Sequence, residues 1–243
     1  MKDKIIKWIK EWFNSTNGKT AIIGISGGKD STVCAALCAE ALGKNNVIGV
    51  MMPNGFQRDI NDSIEVCKLL GIKNYTVNII NGYEGIIKAI AENNFNFGNE
   101  LEDVPYGIKT NLPARLRMSV LYSIASLFPN GRVCNTCNRS EDYIGYSTKF
   151  GDSAGDFSPL SNLTVREVKE IGDELGLPYS LVHKVPSDGM CGKSDEDNLG
   201  FTYKTLDDYL LDGIKPEKEI LEKIEKMHTQ NLHKLEKMPA FIK

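Results

Sequence analysis

One segment restricts this chain more than any other. The apolar run Thr20 to Ile25 leads without a break into Ser26-Gly27-Gly28-Lys29-Asp30-Ser31, and Ala- and Leu-rich sequence follows as far as Leu42 and Gly43. A short apolar run ending at glycines reads as a buried strand, and Ser31 to Leu42 reads as a helix stopped by Gly43. A strand turning through two glycines into a helix aims backbone N–H groups at one point with no Cβ in the way. The helix N-terminus behind them adds partial positive charge, so an anion is favoured there. The hydroxyls of Ser26 and Ser31 suit phosphate oxygens. The Asp30 carboxylate should repel them, a conflict that a bridging Mg²⁺ resolves. The spacing fits neither the Gly-x-x-x-x-Gly-Lys-Ser/Thr loop nor the usual dinucleotide-binding glycine pattern. A plain Gly-Gly turn with an Asp at the helix start is the simpler alternative.

Strands and helices continue to alternate. Asn46 to Met52, Asn74 to Ile79 and Gly131 to Asn135 read as strands, and Ile60 to Leu70, Gly82 to Asn93 and Leu112 to Phe128 as helices. This predicts a doubly wound α/β fold, a parallel sheet with helices on both faces, in one domain spanning 1–243. An amphipathic helix over 1–13 precedes it, with Ile5, Ile6, Ile9, Trp12 and Phe13 on one side. A helical tail over 205–243 closes it, with Ile220, Leu221, Ile224 and Met227 at helical spacing. Leu112 to Phe128 carries few charges and should be buried over much of its surface. Tyr146 to Leu160 and Val185 to Asn198 are long, polar, glycine-containing loops, which in a compact domain suits function.

Composition narrows the partners. A net charge of −3 provides no basic field for a nucleic acid. No apolar run approaches the roughly 20 residues that cross a bilayer. The N-terminus has no secretion-signal pattern, so the cytoplasm is expected. The six cysteines are then expected as free thiols, with Cys34 and Cys38 as small core residues. Cys134-x-x-Cys137 lacks a second Cys or His pair at a spacing that would complete a zinc site.

The full Ser-Gly-Gly-x-Asp-Ser string after a buried strand resembles the pyrophosphate-binding motif of the ATP pyrophosphatase superfamily. Its members adenylate a carbonyl or carboxyl oxygen and release pyrophosphate. Other segments are similar to one branch, the ammonia-dependent NAD synthetases. Asn111-Leu112-Pro113-Ala114-Arg115-Leu116-Arg117-Met118 resembles their Arg-x-Arg-Met helix, and Asn135-Thr136-Cys137-Asn138-Arg139-Ser140-Glu141 their Gly-Thr-x-Asn-x-Ser-Glu segment. Gly145 to Asp152, Asp156 to Leu160, Ser194 to Tyr203 and the His233-Lys234 pair resemble further stretches, so the likeness runs from Ile22 to Pro239.

The resemblance implies the adenine nucleotide alpha hydrolase-like fold and a ligase. ATP would adenylate the nicotinate carboxylate of deamido-NAD, and ammonia would displace AMP to give NAD, the last step of NAD biosynthesis. It implies ATP contacts at Gly24, Ile25, Ser26, Gly27, Gly28, Lys29, Asp30, Ser31, Thr136, Val165 and Ser187, with Mg²⁺ on Asp30 and Glu141. It implies deamido-NAD contacts at Arg115, Lys149, Asp156, His233 and Lys234, and a homodimer. Asp30 serves catalysis through the metal, and Asp152 is the candidate that attracts ammonium and accepts its proton, because only neutral ammonia has a lone pair. No segment resembles a glutaminase, so free ammonia is the expected donor.

This chain departs from the family pattern at several positions. Asn135 replaces a Gly, Val165 a Lys, Ser187 a Thr, and Met51 or Met52 an Arg; Arg58 and Arg166 are the nearby cations expected to compensate. A tRNA-modifying relative and a nucleotide sensor without turnover are the other readings. Pyrophosphate release with deamido-NAD and ammonium separates the three.

Overall fold

The computed structural model describes residues 1–57, 60–93, 104–184 and 195–242. Four parallel strands, β1 (Thr20–Gly24), β2 (Val47–Met51), β3 (Lys73–Thr76) and β4 (Gly131–Cys134), lie in the order β3-β2-β1-β4. Side chains alternate across the sheet with the period of two that a strand imposes. Ala21, Ile23, Val47 and Met51 enter one core, whereas Ile22, Ile48, Val50 and Val133 enter the other. The apolar runs of β1 and β2 thus reflect burial on both faces, as parallel strands require. β3 lies at the sheet edge and is exposed throughout.

Helices cover both faces. α1 (Lys2–Ser15), α2 (Lys29–Leu42) and α3 (Ile60–Leu70) contribute to the first core, together with α7 (Val165–Glu174) and α8 (Tyr179–Val182). On the second face, α4 (Ile80–Ala91) leans on α5 (Tyr106–Ala125), which packs against β1 and β4. A third core gathers α6 (Arg139–Ile144), α9 (Asp195–Leu199), α10 (Tyr203–Asp212) and α11 (Lys218–Leu235) around Ile144, Leu199, Leu206 and Ile224. Beneath it, buried Asp207 accepts hydrogen bonds from Ser140 Oγ at 2.5 Å and Arg166 N at 2.7 Å, tying α10 to the starts of α6 and α7.

The topology decides where a ligand can sit. From β1 the chain steps outward through α2 to β2 and through α3 to β3, then returns through α4 and α5 to place β4 on the other side of β1. The strand order reverses between β1 and β4, and open parallel sheets take their ligands in the crevice outside the carboxyl ends of the strands at such a reversal.

Two expectations need correction. α5 begins at Tyr106 and runs through Pro113, so the proline does not open the helix. Within one copy of the chain α5 is fully buried only at Pro113 and Ala125, while Leu112, Val120, Leu121 and Ile124 are half-buried. The sequence reading also passed over α6 and α7, although each starts with a capping box, Asn138 with Glu141 and Thr164 with Glu167. Cys34, Cys38, Cys67, Cys134 and Cys137 are free and buried.

Candidate active site

The glycine loop between β1 and α2 is held by its own hydroxyls. Ser26 Oγ accepts from Gly28 N at 3.2 Å, and Ser31 Oγ donates to the Gly28 carbonyl at 3.1 Å. Gly27 has φ +80, and a Cβ there would lie 2.9 Å from Cβ of Asp62, so both backbone conformation and space demand glycine. Asp62 in turn pairs with Lys184. Ser63 Oγ, beside Gly27, is buried without a hydrogen-bond partner, an unusual state for a buried hydroxyl.

Asp30 and Glu141 come from opposite sides of the reversal point, Asp30 from the first turn of α2 after β1 and Glu141 from the first turn of α6 after β4. Asn138 joins them. Its Nδ2 donates to Asp30 Oδ1 at 2.9 Å, and its Oδ1 accepts from Glu141 N at 3.0 Å. Glu141 is therefore both a capping acid, accepting from Asn138 N at 3.4 Å, and a member of a carboxylate pair. Burial, and then the neighbouring Asp30 charge, push its carboxyl up to about 8. That is the signature of two acids enclosed without enough positive charge. Lys29 Nζ lies 2.8 Å from Asp30 Oδ2, above the ring of Tyr203, whose hydroxyl is buried without a partner. Hard carboxylate oxygens suit Mg²⁺. No group of three metal-ligating side chains exists among the described residues, so a metal on Asp30 and Glu141 needs its other oxygens from phosphate or water.

Thr136 lies half-buried at the carboxyl end of β4, between two anchored neighbours. Asn135, in place of the family's Gly, is structural: its amide donates to the Asp152 carbonyl at 3.0 Å and accepts from Cys137 N and Ser158 Oγ, both at 2.9 Å. Asp152 Oδ1 accepts from Thr148 N at 2.9 Å. Burial raises its carboxyl while the Thr148 N–H and Lys234 draw it back. Arg117, passed over in the sequence reading, feels the Asp152 charge and donates to the Met52 carbonyl at 3.0 Å. Its guanidinium thus lies against the backbone of Met52, one of the two methionines read as standing in place of an Arg. Arg166 does not compensate, because Asp208 and Asp212 hold its guanidinium at 2.5 and 3.0 Å. The Val165 side chain, 3% exposed, joins the third core and offers no polar atom. Ser187 and Arg58 lie outside the described residues.

Four of the basic residues converge. Arg115 Nε donates to the Lys149 carbonyl at 3.3 Å, and Lys149 Nζ donates to the carbonyl of His233. Lys234 Nζ donates to the carbonyls of Gly145 at 2.6 Å and Ser147 at 3.0 Å. Gly145 has φ +64, and a Cβ there would strike Asn231 of α11, so glycine lets the helix bearing His233 and Lys234 close on this loop. Asp156 stands apart. Its carboxylate accepts from Val133 N at 2.7 Å and from the Tyr122 hydroxyl at 3.4 Å, on a cleft of about 330 Å³ that Arg132 and Phe128 also line. Tyr122 is two turns along α5 from Arg115, about 10 Å.

A parallel α/β sheet, a glycine-rich anion loop and a carboxylate pair across the strand-order reversal define a nucleotide-binding protein of the adenine nucleotide alpha hydrolase type. A family profile described as NAD synthase matches residues 1–241. The chain is 42% identical over 219 residues to the NH(3)-dependent NAD(+) synthetase of Thermococcus sibiricus, covering 89% of this chain and 82% of that protein. It is 37% identical over 238 residues to the protein of the same name from Alkaliphilus metalliredigens, covering 96% and 94%. Among solved structures, NMN synthetase from Francisella tularensis superposes with a TM-score of 0.87 at 34% identity, over 98% of this chain and 96% of that one. NH3-dependent NAD synthetase from Campylobacter jejuni, in complex with the nitrate ion, gives 0.74 at 27% identity, over 100% and 97%. The chain belongs to the NAD synthase family.

Proposed function

We propose that this chain is an ATP-dependent ligase that converts the nicotinate carboxylate of deamido-NAD into an amide with ammonia, releasing AMP and pyrophosphate. One observation carries the reading: Asn138 joins Asp30, in the first turn of α2, to Glu141, in the first turn of α6. The work at such a site is positioning and neutralisation of charge. The Gly27-Gly28 turn and the α2 N-terminus hold the triphosphate. Asp30 and Glu141 would hold Mg²⁺, which would supply positive charge to offset that of the departing pyrophosphate. Arg115, Lys149, His233 and Lys234 form the cationic side that receives the substrate's phosphates. Asp152, whose charge Arg117 and Lys234 feel, would attract ammonium and take its proton. The same reading makes residues 1–243 one catalytic domain working in the cytoplasm. It pairs two copies through α5, whose Leu112, Val120, Leu121 and Ile124 remain only half-buried in one copy.

The likeness to NMN synthetase supports a second reading, in which the substrate is the nicotinate mononucleotide. The chemistry at the carboxylate is the same, and the two readings differ in whether an adenylate half is bound. Comparison of kcat/KM on the dinucleotide and the mononucleotide, with ATP and ammonium saturating, separates them. A preference of tenfold or more for the mononucleotide overturns the first reading. No pyrophosphate release with either overturns both.

A further inference from the structure

Lysine side chains rarely leave water, yet Lys29 is only 4% exposed. It sits in the first turn of α2, where the helix dipole disfavours a cation. Its surroundings reverse that preference. Asp30 Oδ2 is 2.8 Å away and itself only 18% exposed, and the Tyr203 ring centroid lies 5.6 Å from Nζ. Glu141 and Asp195 add their charges, and Asp207 feels the ammonium from beneath α6.

We infer that Lys29 is a resident counter-cation: its ammonium pairs with Asp30 and offsets part of the charge of the Asp30–Glu141 pair in the nucleotide-free protein, so that divalent metal enters with the triphosphate rather than before it. The inference rests on the proposed reading of Asp30 and Glu141 as metal-holding residues. A dication arriving alone must displace the ammonium from Asp30 or bear its repulsion at close range in a poorly solvated site. A triphosphate carries enough negative charge to accept both cations, and the bond from Lys29 to Asp30 can then be exchanged for one to phosphate.

The test is binding of Mn²⁺ to the full chain at pH 8.5, followed by the electron-spin signal of the free ion, with and without a non-hydrolysable ATP analogue. The wild-type protein should bind Mn²⁺ weakly alone and tightly with the analogue. Lys29→Met should raise the affinity without nucleotide by on the order of tenfold. Lys29→Arg, which keeps the charge, should stay at the wild-type value. Equal affinities for wild type and Lys29→Met overturn the inference. So does micromolar Mn²⁺ binding by the nucleotide-free wild type, a result that does not depend on the variant folding. Absence of Mn²⁺ binding even with the analogue would instead bring down the metal-holding reading, and this inference with it.

Discussion

Asn138 joins the two halves of the site, and its replacement tests that joint. The residue is fully buried. Its side chain makes two bonds at opposite ends of one amide, to Asp30 Oδ1 at 2.9 Å and from Glu141 N at 3.0 Å. Asn138→Ala removes a helix N-cap, which costs about 1 kcal/mol. It also removes a donor to a carboxylate, worth about 1.5–3 kcal/mol. The bonds share no partner atom, so the losses add to about 3 kcal/mol, or roughly 6–12 °C in Tm for a chain of this length. Asn138→Asp discriminates between the two bonds. Asp caps as well as Asn, but it places a second carboxylate oxygen against Asp30, so the loss should remain about 2 kcal/mol or more. Thermal melts without nucleotide measure the stability. Pyrophosphate–ATP exchange measures function, where a disturbed Asp30 should weaken metal–ATP binding about 10- to 100-fold. If Asn138→Ala melts within 1 °C of wild type, a spread set by the cited ~2–4 °C per kcal/mol, and keeps its KM for ATP, the joint has no energetic weight and the reasoning fails.

Asp30→Asn and Glu141→Gln should each suppress pyrophosphate–ATP exchange by several kcal/mol of lost charge stabilisation. Asp152→Asn should leave exchange largely intact and slow capture of the adenylate by ammonia; loss of exchange as complete as in Asp30→Asn would reassign Asp152 to binding. Burial, and then the Asp152 charge, push the Asp142 carboxyl up to about 6 from its ordinary 3.8. The unfolded chain therefore releases this proton first as pH rises, so the fold is penalised progressively between those values and fully above 6. With allowance for partial solvent exposure and for the lost helix-start charge, Asp142→Asn should gain about 1 kcal/mol at pH 7.5 and nothing at pH 3, read by urea titrations at both. Light scattering at micromolar concentration should give twice the chain mass of 27.0 kDa; a 27.0 kDa particle would refute pairing through α5.

Local sequence settled what depends on neighbours along the chain. The apolar β1, the Gly27-Gly28 turn and the Ala-rich α2 follow one another directly, so strand, loop and helix were all legible, and so was the alternation that makes the sheet parallel. The same holds for the free cysteines, whose burial fits their apolar neighbours. α6 and α7 were also written in the sequence, as Asn-x-x-Glu and Thr-x-x-Glu; six-residue α6 is too short to show a period, whereas Val165, Val168 and Ile171 of α7 already stand at helical spacing. The extent of α5 was not legible locally, because the helix runs through Pro113, a residue that ordinarily interrupts one.

The site itself depended on tertiary structure. Asp30 and Asn138 are 108 positions apart and meet only because the chain returns past β2 and β3 to lay β4 beside β1. No local pattern encodes that return. The same crossing brings Arg117 to Met52, seats Asn135 against the Asp152–Ser158 segment and turns Val165 into the core. Resemblance could propose which residue types serve phosphate and metal, because that chemistry is fixed by the side chain. It could not say that Lys29, one position from Asp30, folds its ammonium inward among carboxylates; burial and charge in three dimensions decide that.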